Sequence, residues 1–208
     1  MLEKLIVFVE EFSMEATLEI LLPKLLPNVS FEIRRFQCKD DLLKRLPERL
    51  RGYQNWLPEN WVIVILVDRD DDDCIELKQR LESMAAQAGL ITKTVAGVGH
   101  RFQVANRLAI EELEAWFFGD WRAVRDAYPK VSATIPQQAR FRKPDAIAGG
   151  TWEALEQVLK RAGYFSTGLR KLECARAVAP HMEPERNVSD SFQAFRGALT
   201  AVLAGGEP

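Results

Sequence analysis

Trp61-Val-Ile-Val-Ile-Leu-Val-Asp68 is the segment that most restricts this chain: seven apolar residues, mostly β-branched, run without interruption into an acid. A run of that length without polar alternation is a strand covered on both faces, the kind found in parallel α/β sheets. It ends in a burst of charge, with five aspartates among positions 68–73. Like charges that close repel unless water, an arginine or a cation screens them. The carboxyl ends of strands are also where open α/β sheets bind ligands. The segment points to a divalent-cation site whose other ligands lie elsewhere in the chain.

The surrounding pattern supplies the rest of a sheet. Residues 4–9 form a first buried strand, and Ser13 reads as the N-cap of a helix that Pro27 ends. Residues 30–37 alternate enough for a second, more exposed strand. Leu42, Leu43, Leu46 and Leu50 mark one stripe of a helix from Asp40 to about Tyr53, disturbed at Pro47. The buried run is then followed by a helix from about Asp72 to Ala88, closed by Gly89. Leu90 to Val98 reads as a fourth strand, 104–110 as a short further one, and Glu111 to Phe118 as a turn or two of helix. Such alternation implies an α/β fold, a mostly parallel sheet with helices on both faces. After about residue 129 a polar connection with Pro129, Pro136, Pro144 and Gly149-Gly150 leads into helical stretches near 151–162, 168–180 and 189–204. We expect an α/β domain over 1–128 and a helical extension over 129–208 packed on it.

Bulk properties narrow the class. A chain of 208 residues with 47% apolar side chains can bury a proper core. No run of eighteen apolar residues occurs and a strand begins at once, so neither a membrane span nor a signal peptide is expected. Cys38, Cys74 and Cys174 are scattered, without a CxxC, and fit reduced thiols in a cytoplasmic protein. The net charge of −2 argues against a general nucleic-acid coat. Its distribution is uneven: residues 1–120 carry 15 basic and 21 acidic side chains, residues 121–208 carry 13 and 9. That asymmetry fits either a metal site beside a phosphate-binding surface or chance variation over solvated faces.

Three groups of acids fall near strand ends: Glu10 with Glu11, Asp68 with Asp70, and Glu111, Glu112 and Glu114. If the first and third strands are neighbours, their ends lie roughly 5 Å apart, within reach of a shared cation. Mg2+ accepts oxygen ligands and keeps several waters, so two or three carboxylates suffice. Asp71, Asp72 and Asp73 are more simply the start of a helix, where acids favour the macrodipole. Glu15 and Glu19 read as a solvated helix face.

Rival motifs fail on the residues. An EF-hand loop from Asp68 needs glycine and glutamate where Asp73 and Gln79 stand. A P-loop has no GxxxxGK[ST] here, and a receiver domain lacks its later lysine. No glycine-rich dinucleotide fingerprint occurs either.

With Val9-Glu10-Glu11 after the first strand and Val67-Asp68-Arg69-Asp70 after the third, the chain resembles the TOPRIM fold of topoisomerases, bacterial primases and OLD-family nucleases. Glu11 stands where that fold usually has glycine. At finer grain the chain resembles the DUF4276 family of TOPRIM-like bacterial proteins. This resemblance rests on Val9 to Ala16, Leu66 to Cys74, Ile110 to Asp120, Lys143-Pro-Asp-Ala146, Gly149 to Glu153, Pro184-Glu-Arg-Asn187 and Ser191-Phe192. The TOPRIM resemblance implies Mg2+ (or Mn2+) held by Glu10, Asp68 and Asp70, and the acids after the last strand offer Glu112 or Glu114 to complete a second position. Two such ions about 4 Å apart activate a water and stabilise the leaving oxygen in phosphodiester cleavage.

Basic side chains then complete the expectation. A scissile phosphate needs cations opposite the metal, and Lys171 or Arg142 would offset its charge. Asn187, Ser189 and Ser191 read as a helix start. His100 follows a strand and is a candidate to reach the site, whereas the five tryptophans read as packing anchors. The expected function is a Mg2+-dependent nuclease or related phosphodiester-processing protein in phage defence or DNA maintenance. The competing expectation is a non-catalytic subunit that binds metal or a partner protein such as a neighbouring ATPase.

Overall fold

The computed structural model describes residues 2–204. Four strands, β1 (Lys4–Val9), β2 (Ser30–Arg35), β3 (Trp61–Asp68) and β4 (Val104–Ala109), form one parallel sheet in the order β2-β1-β3-β4. Three helices connect them: α1 (Phe12–Leu25), α2 (Lys39–Gln54) and α3 (Cys74–Gln87), with a single turn α4 (Lys93–Ala96) before β4. Beyond the sheet come α5 (Glu114–Gly119), α6 (Trp121–Ala127), α7 (Thr151–Arg161), α8 (Lys171–Val178) and α9 (Asp190–Ala204).

Side-chain alternation divides the sheet into two faces. Leu5, Val7, Val9, Val62, Val64 and Leu66 join α1 and the C-terminal helices in one apolar cluster. Ile6, Phe8, Ile63, Ile65 and Val67 join α2 and α3 in another. The chain moves from β1 outward to β2, then returns past β1 to β3 and β4. That reversal of direction puts α1 on one face and α2 and α3 on the other. It also makes the crevice between the carboxyl ends of β1 and β3 the topological switch point. Residues 129–204 are not a separate globule: α8 packs along α1, α9 packs on β4, and their apolar side chains share the cluster of the first face.

Several local expectations are corrected. Ser13 lies inside α1, whose N-cap is Glu11; the Ser13 hydroxyl donates to the Glu11 carboxylate. Pro23 sits within that helix, which ends before Pro27 is reached. Pro47 likewise leaves α2 continuous, because Leu42, Leu43, Leu46 and Leu50 bury its inner face. Residues 90–98 form no strand. Thr92 makes one isolated bridge to Val104, and its hydroxyl then accepts from Val95 N at 3.3 Å, starting α4 in place of a ladder. Among the described residues no helix is long and apolar enough to cross a membrane.

Candidate metal centre

β1 and β3 pair in parallel with Phe8 opposite Ile65, so the residues that follow them emerge together at the switch point. There Glu10 accepts the backbone N–H of Asp68 through Oε1. Asp68 continues the 62-64-66 alternation and therefore projects onto the face covered by α1 and the C-terminal helices. Glu114 opens α5 from that side. Glu10, Asp68 and Glu114 are 6%, 4% and 1% exposed.

Their electrostatics are those of a site short of positive charge. Burial, then repulsion from Glu10, Glu11, Glu114 and Asp70, holds the Asp68 carboxyl well above the usual carboxylate range. Burial is also the first cause that pushes Glu10 up to about 7 and Glu114 up to about 8. Among the described residues, Asp68 Oδ1 and Glu114 Oε2 are buried with no hydrogen-bond partner. A buried carboxylate oxygen without a partner costs free energy, and two in one crevice need an explanation. Lys171, at the start of α8, supplies the local cation. Burial would lower its pKa, but Glu114, Glu11, Glu112 and Asp68 together hold it above the ordinary lysine value.

Not every expected ligand is free. Lys39 Nζ binds Asp70 Oδ2 at 2.6 Å and Asp72 Oδ2 at 2.7 Å, and it also donates to the carbonyl of Arg69 at 3.0 Å. Asp70 is thus ion-paired beside the crevice and not aimed into it unopposed. Asp73 caps α3, accepting from Ile75 N at 2.8 Å and Glu76 N at 2.9 Å. Glu112 Oε2 accepts from Thr151 Oγ1 and Trp152 N, each at 3.0 Å, while its Oε1 lies 3.4 Å from Lys171 Nζ. It anchors the N-terminus of α7, where a carboxylate also meets the favourable end of the helix dipole. Glu111 pairs with Arg69 at 2.6 Å. Of Glu111, Glu112 and Glu114, the last is the one with a buried, unpartnered oxygen.

Other candidates lie elsewhere. His100 is exposed and precedes β4, so it sits at the amino edge of the sheet, opposite the acids. Arg142 is exposed and donates to the carbonyl of Gln137 at 3.1 Å. Sequence reasoning missed Lys39 altogether. The available signal was its position at the start of the helix after β2, which places it at the same sheet edge as the aspartates.

A second buried polar cluster holds the C-terminal segments together. Asp120 receives the Arg186 guanidinium in a fork at 2.6 and 2.9 Å, together with Glu183 N at 2.8 Å. Asn187 donates to the carbonyl of Trp116 at 2.8 Å, and Trp116 Nε1 donates to Ser191 Oγ at 3.0 Å. Asp145 accepts from Ser189 Oγ at 3.0 Å and from Asp190 N at 2.7 Å, fixing the start of α9. A Cβ on Gly119 would meet Asn187 Oδ1 at 2.1 Å, so only glycine permits this approach.

The oxygen-only donors of the crevice suit a hard cation such as Mg2+, which accepts carboxylates and keeps waters. The two orphaned oxygens are the observation in favour of that fit. As they stand, no three His, Cys, Asp or Glu side chains among the described residues are grouped tightly enough to enclose an ion. Glu10, Asp68 and Glu114 are the residues best placed to hold one.

A family profile described as domain of unknown function (DUF4276) matches residues 9–200. Among solved structures, the C-terminal region of the Burkholderia pseudomallei OLD protein is similar at 16% sequence identity and a TM-score of 0.45. That alignment covers 97% of this chain and 100% of the other. No curated protein matches the chain.

Proposed function

The chain belongs to the DUF4276 family, and on that premise we propose that it is a Mg2+- or Mn2+-dependent, TOPRIM-like nuclease that hydrolyses phosphodiester bonds in nucleic acid. The observation that carries this reading is the pair of orphaned carboxylate oxygens, on Asp68 and Glu114, beside Glu10 at the switch point. Buried acids that repel one another, two of them with an unpartnered oxygen, favour a bound cation.

Glu10, Asp68 and Glu114 would hold the ion, with Asp70 joining when Lys39 releases it. Bound there, the ion would supply Lewis-acid charge to a phosphoryl oxygen and make water a competent nucleophile at neutral pH. Glu112 positions the N-terminus of α7 and keeps Lys171 at the rim. Lys171, held charged by the surrounding acids, offsets phosphate charge on the substrate side. Burial of the three carboxyls excludes bulk water and strengthens each of these interactions.

The test is direct. Calorimetry with Mn2+ and Mg2+ should show binding that Asp68→Asn abolishes, and single- or double-stranded DNA or RNA should be cut by the wild type and not by that variant. Protein that neither binds these ions nor cuts any of the four substrates sinks the proposal. Metal binding without cutting would favour the non-catalytic partner subunit. One observation gives that reading some ground: Val95 and Val98 are 76% and 94% exposed near the amino edge of the sheet, an apolar surface suited to a protein partner.

A further inference from the structure

The inner face of α2 is buried through its four leucines, but a second face of the same helix is open. Arg45, Glu48, Arg49, Gly52 and Tyr53 fall on one helical stripe, continued by Trp56 just past the helix end. They line a hollow of about 840 Å³ between α2 and the edge strand β2. Phe8, Phe36 and Tyr53 contribute its aromatic lining, and Arg34 joins Arg45 and Arg49 as cations. Glu15 and Glu48 are its acids, and Glu15 is held by Arg35 at 3.0 Å. Arg45 pairs within the helix with Asp41, and Arg34 with Glu32, whereas Arg49 makes no ion pair among the described residues.

Trp56 was expected to be a packing anchor. It is instead 57% exposed, yet braced, with its ring centroid 5.1 Å from Tyr53 and 5.8 Å from Trp61. A large ring held in place with surface left open contributes little to the core and is preorganised for stacking. Gly52 sits midway along the stripe, where an added Cβ would meet nothing within 4 Å. The helix itself leads back to the acids: it begins at Lys39, the partner of Asp70, and its 16 residues extend about 24 Å toward Trp56.

We propose that this hollow is a track for single-stranded nucleic acid, with Arg34, Arg45 and Arg49 on phosphates and Trp56 stacked on a base. A single strand is the occupant because stacking requires a base face that a duplex keeps covered. Arginines along a groove that carries one exposed, braced indole match the anions and π-face of such a strand. The inference extends the nuclease reading, since a strand lying along α2 would lead its backbone toward the crevice. Binding to the track does not itself depend on metal.

The experiment is fluorescence anisotropy of a labelled oligothymidine of about 20 nucleotides, titrated with the full chain in EDTA so that nothing is cut. Arg45→Glu/Arg49→Glu should weaken binding by about tenfold or more, and Trp56→Ala by about fivefold. Gly52→Glu should weaken it by about tenfold by placing bulk and negative charge in the hollow, and the helix should tolerate it because glycine is the poorer helix former. Thermal melts of all three variants should match the wild type. Wild-type protein that fails to bind the oligonucleotide overturns the proposal, as do three folded variants that bind normally. A duplex of equal length that competes equally, with Trp56→Ala silent, overturns the single-strand assignment. Binding lost with short-substrate cutting retained supports the track while leaving the nuclease reading intact. Binding retained in a protein without metal affinity or cutting sinks the nuclease reading alone.

Discussion

Two buried polar clusters in this molecule are built from the same residue types and differ in whether their charges are answered. Around Asp120 the side chain is fully buried, and both of its oxygens are taken by Arg186, with Glu183 N as a third donor. Around Asp68 the side chain is almost as buried, yet one oxygen has no partner among the described residues and four other acids repel it. A satisfied cluster fixes structure: it ties α5 and α6 to the segment before α9. An unsatisfied one stores a demand for positive charge. The contrast separates two halves of the family resemblance, because Arg186, Asn187 and Ser191 hold the fold whereas Glu10, Asp68 and Glu114 are the acids proposed to hold a cation.

The sharpest way to break that contrast is to neutralise one acid in each cluster. Asp68→Asn should lower phosphodiester cleavage by about 10³-fold, the scale for losing a main electrostatic contact in a site. The metal-free variant should melt at or above the wild-type temperature, since one repelling charge has gone. Asp120→Ala should do the reverse. It leaves Arg186 without its carboxylate and should cost about 3 kcal/mol in denaturant unfolding, the low end for a broken buried pair because Arg186 is one-third exposed. Metal affinity of the Asp120→Ala protein, where folded, should be unchanged. A destabilised Asp68→Asn protein, or an Asp120→Ala protein that unfolds like wild type, would erase the distinction.

The satisfied and unsatisfied clusters were unequally legible in the sequence. Residues 4–9 and 61–67 announce buried strands by unbroken apolar runs, and their pairing delivers Glu10 and Asp68 to one edge as expected. Residues 90–98 have the same composition as a strand but were captured locally by the Thr92 hydroxyl and by Gly97 and Gly99 at positive φ. Glu112 and Glu114 could not be told apart from spacing. What separates them is the arrival of Thr151 and Trp152 on Glu112, a contact set by chain folding and not by local pattern. Lys39 escaped notice for the same reason, its aspartate partners being on another loop. Asp120 has no local signal of its role either, since its partner Arg186 stands far along the chain.

The pH dependence of stability offers a third, smaller test. Glu10 at about 7 and Glu114 at about 8 keep protons in the folded state that the unfolded chain releases near 4.5. Stability of the metal-free protein is therefore full below that value and falls as pH rises through roughly 7 to 8. The melting temperature should drop by about 5 °C between pH 5 and pH 8, and excess Mg2+ should restore it while displacing protons. Glu114→Gln should flatten the slope. A flat wild-type profile would mean that the acids are answered by something within the fold, as Asp120 is.

The smallest expected effect concerns the boundary between answered and unanswered charge, which runs through Lys39. Its ammonium satisfies Asp70 and Asp72 while its side chain is 16% exposed, and both aspartates are nearly half exposed. Pairs of that kind contribute about 0–1 kcal/mol, so Lys39→Met should shift unfolding by less than about 1 kcal/mol. The substitution leaves Asp70 without its cation at the rim of a crevice already short of positive charge. Affinity for Mn2+ should then rise a few-fold in calorimetry, and the gain should vanish in Lys39→Met/Asp70→Asn. If Mn2+ affinity instead falls, Lys39 is part of what shapes the crevice, and Asp70 belongs with Asp120 among the acids that the protein answers for itself.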